Sequence, residues 1–103
     1  MNEREYIIVL YDYYSELFND KQKKYFENYY FENLSLAEIA LNNNISRSAI
    51  HNGIKSVVSK LYEYEDKLGL YKKENKLKEI INTIDDDKIK KELEGLLWKI
   101  NYL

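Results

Sequence analysis

Arg47, Ser48, His51, Asn52 and Lys55 recur at short intervals in the middle of the chain. At 3.6 residues per turn the last four fall on one side of a helix, with Arg47 on their flank. Each carries a guanidinium, hydroxyl, imidazole, amide or ammonium group able to hydrogen-bond outward. Such a set suits nucleic acid: arginine and lysine for phosphates or guanine edges, asparagine and histidine for base edges. From Ile45 to Lys60 the only charges are Arg47, Lys55 and Lys60, so the stretch is locally positive. Ile50 and Ile54 lie on the other side of the helix, and Ala49 is expected to face inward with them.

Catalytic chemistry has little to work with. His51 is the single histidine, and no carboxylate stands near it in sequence. No glycine-rich phosphate loop, HExxH or GxSxG pattern is present. No catalytic residue, cofactor or metal site is expected, and the chain is read as not an enzyme. The acidic triplet Asp85, Asp86 and Asp87 is better placed to cap a helix than to hold a cation, because consecutive carboxylates at a helix start point in different directions.

The elements that position the polar face follow from capping signals. Ser35 stands three residues before Glu38, a capping box that starts a helix whose apolar stripe is Leu36, Ile39 and Ala40. Asn42, Asn43 and Asn44 end it, since asparagine tolerates the left-handed backbone. Ile45 is placed to plug the gap, and Ser46 to cap the next helix. Two short helices joined by a tight turn form a helix-turn-helix, whose second helix can present its first turns to the major groove.

That second helix continues beyond a minimal motif. Ile54, Val57, Leu61, Tyr64 and Leu68 are spaced three and four apart, a seam for another helix, and Gly69 is a C-terminal cap. Gly53 lies inside it, either allowing close packing or merely weakening the helix. Upstream, residues 3–18 predict a first helix with Tyr6, Leu10, Tyr13 and Leu17 inward, widened by Val9 and Tyr14. Asn19 and Asp20 cap a second, about residues 20–31, with Tyr25, Phe26, Tyr29 and Tyr30 as an aromatic inner face. Its Lys21, Lys23 and Lys24 form either a solvated face or a phosphate contact beside the motif. Downstream, residues 72–84 predict a fifth helix with Leu77, Ile80, Ile81 and Ile84 inward. A sixth carries Ile89, Leu93, Leu96, Leu97 and Ile100, with Trp98 beside the stripe and Leu103 at the end.

The bulk composition agrees with an all-α chain: 103 residues, no proline, three glycines, 45% hydrophobic and 33% charged. Two units are expected, a helix-turn-helix domain over residues 1–70 and a helical pair over 71–103 that packs on the long helix or on a second copy. The absence of cysteine fits a reducing cytosol. With no signal-peptide layout and no membrane-length apolar run, a cytoplasmic protein without membrane contact is expected. A net charge of −2 disfavours indiscriminate phosphate binding.

Gln22 with the aromatics after it, Leu34 to Ala40, Ile45 to Arg47, Ala49 and Ile50 resemble region 4 of sigma factors. The continuation from Leu61 to Leu70, Leu-Tyr-Glu-Tyr-Glu-Asp-Lys-Leu-Gly-Leu, is sharper and resembles the YlxM-like family of small bacterial proteins. The resemblance implies an all-helical, sigma-region-4-like fold with a long recognition helix and a C-terminal helical extension. It also implies a regulatory role tied to the signal recognition particle pathway, through gene neighbourhood with that pathway's GTPases. The partners so implied are DNA and signal recognition particle components, and the seam suggests a homodimer. Ser56 stands where the family often has a basic residue, which removes one phosphate contact. The alternative is an adaptor that docks to a protein or RNA of the particle without binding DNA.

Overall fold

Short polar side chains begin nearly every helix of this chain. The computed structural model describes the backbone of residues 1–102 and the side chains of residues 1–97. The expected placements of Trp98, Ile100 and Leu103 lie outside the described residues. Six helices follow in order: α1 (Glu3–Tyr14), α2 (Asp20–Tyr30), α3 (Leu36–Asn43), α4 (Arg47–Leu68), α5 (Leu70–Ile81) and α6 (Asp87–Tyr102), with one 3₁₀ turn, Ser15–Leu17, after α1. Among the described residues there is no strand.

The caps account for the boundaries. Asn2 Oδ1 accepts from Glu5 N at 2.8 Å, and Asn19 and Gln22 form a reciprocal box at 2.9 Å in each direction. The Ser35–Glu38 box has both hydrogen bonds at 3.1 Å. Ser46 Oγ accepts from Ala49 N at 3.0 Å, and Asp86 Oδ1 accepts from Lys88 N at 2.9 Å and Ile89 N at 3.2 Å. Each cap satisfies an amide that the helix leaves without a partner.

Helix α4 is the axis on which the rest is assembled. Its N-terminal half gives Ile50 and Ile54 to a cluster with Tyr25, Ile39 and Ala40. Its C-terminal half gives Val57 and Leu61 to a second cluster with Ile7, Leu10, Tyr11, Tyr14, Phe18 and Phe26. Rings stack within this core: Tyr11 on Phe26 at 4.1 Å and Phe26 on Tyr30 at 4.4 Å between centroids. The aromatic face of α2 is therefore core.

Four expectations are corrected. In α1 the buried stripe is Ile7, Leu10, Tyr11 and Tyr14, with Tyr6 and Tyr13 at its edges. Leu17 is 55% exposed and Phe18 is buried in its place, because the helix stops at Tyr14 and the tighter 3₁₀ turn rotates the next residues. Ala49 is exposed, one residue off the stripe that Ile50 sets. In the seam, Leu68 is 45% exposed and packing ends near Tyr64. Finally, α5 starts at Leu70 rather than 72 and ends at Ile81, since Gly69, in the left-handed region at φ 62°, both closes α4 and opens α5. Ile80 then faces outward at 50% exposure, while Ile81 is buried.

Helix α5 packs on α1 as well as on α4, and α6 packs on α5. The molecule measures 57 × 24 × 22 Å with a radius of gyration of 17.2 Å. A compact chain of this length would have about 13 Å.

Candidate nucleic-acid interface

The turn that presents the polar face is built by asparagine. Asn44 closes α3 at φ 54°, ψ 40°, and Asn43 Nδ2 donates to the Ile39 carbonyl at 2.7 Å. Ile45, half-buried, packs against the cluster beneath, and Ser46 opens α4. The first turns of α4 thus stand on Ile39, Ile50 and Ile54, which are nearly inaccessible.

Arg47, Ser48, His51, Asn52 and Lys55 are all exposed. Neither Arg47 nor Lys55 takes part in an ion pair among the described residues, whereas Lys60 reaches Glu63 at 3.4 Å. The two cations of the face are therefore free for an outside anion. His51 and Lys55 border a shallow cleft of about 230 Å³ floored by Tyr29, Tyr30 and Leu36, with Glu3 as its one acid.

On the other flank of α4, Lys21 meets Ala49 and Gly53 in a groove of about 200 Å³. Its ammonium lies 5.9 Å from the Tyr25 ring. Of the three lysines of α2, Lys21 alone borders this groove, and Lys23 is paired with Glu16 at 3.5 Å. Sequence reasoning grouped the three lysines together, because linear spacing carries no information on which of them lies against a later helix. Arg4, by contrast, is structural: it donates to the Tyr30 carbonyl at 2.8 Å and to Asn33 Oδ1 at 3.2 Å, lying over the Tyr30 ring.

Gly53 leaves room. A β-carbon there would meet Tyr25 at 3.9 Å, an ordinary contact, so close packing does not require glycine. Among the described residues no three His, Cys, Asp or Glu side chains are grouped to hold a metal ion, and no helix is long and apolar enough to cross a membrane.

Fold and turn together define an all-helical protein built on a helix-turn-helix with a long second helix. Residues 1–99 match the family described as "Putative helix-turn-helix protein, YlxM / p13 like", UPF0122. A UPF0122 protein of Fusobacterium nucleatum is 46% identical over 92 residues, covering 85% of this chain and 89% of that one. A UPF0122 protein of Malacoplasma penetrans is 44% identical over 97 residues, covering 90% and 91%. One from Mycoplasma capricolum is 42% identical over 94 residues, covering 86% and 83%. The chain belongs to the UPF0122, YlxM-like family.

Proposed function

We propose that this is a cytoplasmic regulatory protein that binds duplex DNA through Arg47, Ser48, His51, Asn52 and Lys55, in connection with the signal recognition particle pathway. The supporting observation is that Arg47 and Lys55, on an exposed polar face at the start of the motif's second helix, make no ion pair among the described residues. In this role Arg47 and Lys55 hold phosphates or guanine edges, and His51 and Asn52 read bases. Lys21, on the flank of the same helix, adds a phosphate contact. The link to the pathway rests on the resemblance to the YlxM-like family.

One module with so few cations binds weakly, and a homodimer remedies this. Ile80, Ile89 and Leu96 are about half exposed on the α5–α6 hairpin. Pairing two hairpins into a four-helix bundle would bury them and present two motifs at once.

The alternative is an adaptor that uses the motif as a scaffold and docks to a protein or RNA of the particle. The net charge of −2 favours it. Fluorescence anisotropy against labelled duplex DNA and against signal recognition particle RNA, each over a salt series, separates the two. Salt-sensitive DNA binding that is lost in the Arg47→Ala, Lys55→Ala double variant supports the DNA-binding role. Failure to bind duplex DNA at low salt overturns it.

A further inference from the structure

Glu74 is 4% exposed, and among the described residues neither of its carboxylate oxygens has a hydrogen-bond partner. The nearest cation is Lys78, whose Nζ lies 3.4 Å from Oε1 on a side chain that is itself half exposed. Leaving a buried carboxylate without donors is costly, and a site that persists this way calls for a physical reason. Glu74 lines a cleft of about 440 Å³ between α1 and α5, together with Asp12, Tyr13 and Asn75. Desolvation pushes the Asp12 carboxyl above its usual range, although the residue itself is exposed.

Across α5 lies a larger cleft of about 760 Å³, which shares Tyr71 and Asn75 with the first. Tyr6 is one of the residues that line it. Tyr62 and Tyr71 pack against the Tyr6 ring at 49° and 68°, each with its centroid 5.7 Å away, so a cluster of three tyrosines lines the cleft. Glu65, Asp66 and Glu79 line the same cleft. Glu65 is occupied by hydrogen bonds, and Glu79 is paired with Lys76 at 3.6 Å. Asp66 takes part in no ion pair among the described residues. Over the two clefts five carboxylates face three lysines, Lys72, Lys76 and Lys78.

Ring faces and a donor-starved carboxylate ask for the same chemistry. A cation is attracted to the face of a tyrosine ring, and a carboxylate takes two parallel N–H donors from a guanidinium. Among side chains arginine serves both, being planar and weakly hydrated, with a rigid fork of donors. Nucleic acid fits poorly, because phosphates would meet the excess of carboxylates. The two clefts are separated by the width of one helix, about 10 Å with side chains. An extended segment spans that distance in three residues, at roughly 3.3 Å each.

We propose that the face formed by α1, α4 and α5 is a docking surface for a basic, arginine-bearing peptide segment of a partner protein. One guanidinium lies against the tyrosine cluster of Tyr6, Tyr62 and Tyr71, and a second displaces Lys78 from the Glu74 carboxylate. The surface is separate from the polar face of the motif: Tyr62 lies about 16 Å further along α4 than His51, at 1.5 Å per residue.

The test is a titration of the full chain with a fluorescein-labelled hexapeptide carrying two arginines three positions apart, and with a control in which norleucine replaces both. Saturable binding of the arginine peptide is expected, weakened about tenfold by Glu74→Gln and by Tyr62→Ala, the loss of one charge-assisted contact each. Tyr62 is 38% exposed, so its truncation leaves the core in place. Glu74→Gln should at the same time raise the thermal midpoint of the free protein, an opposite sign that no loss of folding produces. The Arg47→Ala, Lys55→Ala variant should bind the peptide as the parent does. Equal affinity for the norleucine peptide, no saturable binding, or unchanged affinity in both Glu74→Gln and Tyr62→Ala would overturn the proposal. So would preferential capture of a labelled single-stranded RNA at this face.

Discussion

The hydroxyl of Tyr14 donates to Glu65 Oε1 at 2.6 Å and accepts from the Leu70 amide at 3.1 Å, which ties α1, α4 and α5 at one point. Glu65 completes the joint by accepting from Tyr71 N and Lys72 N, each at 3.1 Å. A carboxylate from one helix thus caps the next, at the positive end of its dipole. Gly69 offers no side chain for that purpose, so the cap has to come from elsewhere.

Removing the hydroxyl leaves the Leu70 amide without its acceptor and Glu65 with one donor fewer. Tyr14→Phe should cost about 1–2 kcal/mol, and Glu65→Ala more, since it strands the Tyr14 hydroxyl and two amides. Urea unfolding of the three proteins checks the order. Equal midpoints for parent and Glu65→Ala would show that the joint contributes nothing.

Burial and the Glu65 contact push the Tyr14 phenol up to about 12 from 10.0, and burial with the Glu27 contact raises Tyr11 as well. A phenol whose folded pKa is raised binds its proton more tightly in the folded state. The stability it contributes is fully present below pH 10 and is lost as the pH rises through the folded value, so unfolding should set in between about pH 10 and 12. Tyr14→Phe should flatten part of that loss. Circular dichroism melts from pH 8 to 12 measure it, and an acid-side rather than alkaline-side change in the difference between the proteins would contradict the assignment.

Gly53→Ala should stabilise α4 by about 1 kcal/mol, because alanine is the better helix former and its β-carbon would make only ordinary contact with Tyr25. A rise in the thermal midpoint is expected, with the polar face undisturbed. A fall would mean that α2 and α4 approach more closely than 3.9 Å implies.

How much of this was legible depended on whether the determining contact was local. The capping box at Ser35, the cap at Asn19, the left-handed closures at Asn44 and Gly69, and the seam of α4 as far as Tyr64 are set by residues within a turn of each other, and spacing alone conveys them. The register slip at Phe18 was not legible, because Leu17 fits an ideal α-helical stripe and only the 3₁₀ turn displaces it. Exposure of Ala49 follows from helical phase, one residue off the stripe that Ile50 sets, whereas burial of Ile81 rather than Ile80 depends on how α5 lies against its neighbours. The polar set from Arg47 to Lys55 was readable as one exposed face, since helical phase fixes it. Which of Lys21, Lys23 and Lys24 lies against α4, and the meeting of Tyr6, Tyr62 and Tyr71, were not, being set by helices far apart in the chain.

Asn44 separates two effects at the turn. It is left-handed at φ 54°, a conformation that costs most side chains about 1–2 kcal/mol and glycine almost nothing. Asn44→Gly should therefore be close to neutral, and Asn44→Val clearly destabilising. Chemical denaturation of both variants gives the comparison, and equal losses would mean that the asparagine side chain, rather than the backbone angle, matters there.

Under the proposed DNA-binding role, salt dependence gives the most direct count of phosphate contacts at the motif. Each contact releases about 0.9 of a counterion on duplex DNA, so losing Arg47 and Lys55 together should lower the slope of log affinity against log salt by about 1.8. Replacing His51 or Asn52 with alanine should instead leave the slope unchanged and reduce discrimination between sequences, because base-edge contacts release no phosphate counterion. Lys21→Ala should lower the slope by about 0.9 if the groove beside Gly53 follows the backbone. A slope that stays the same in the Arg47→Ala, Lys55→Ala protein would remove both residues from the phosphate contacts and leave the polar face without its anchoring charges.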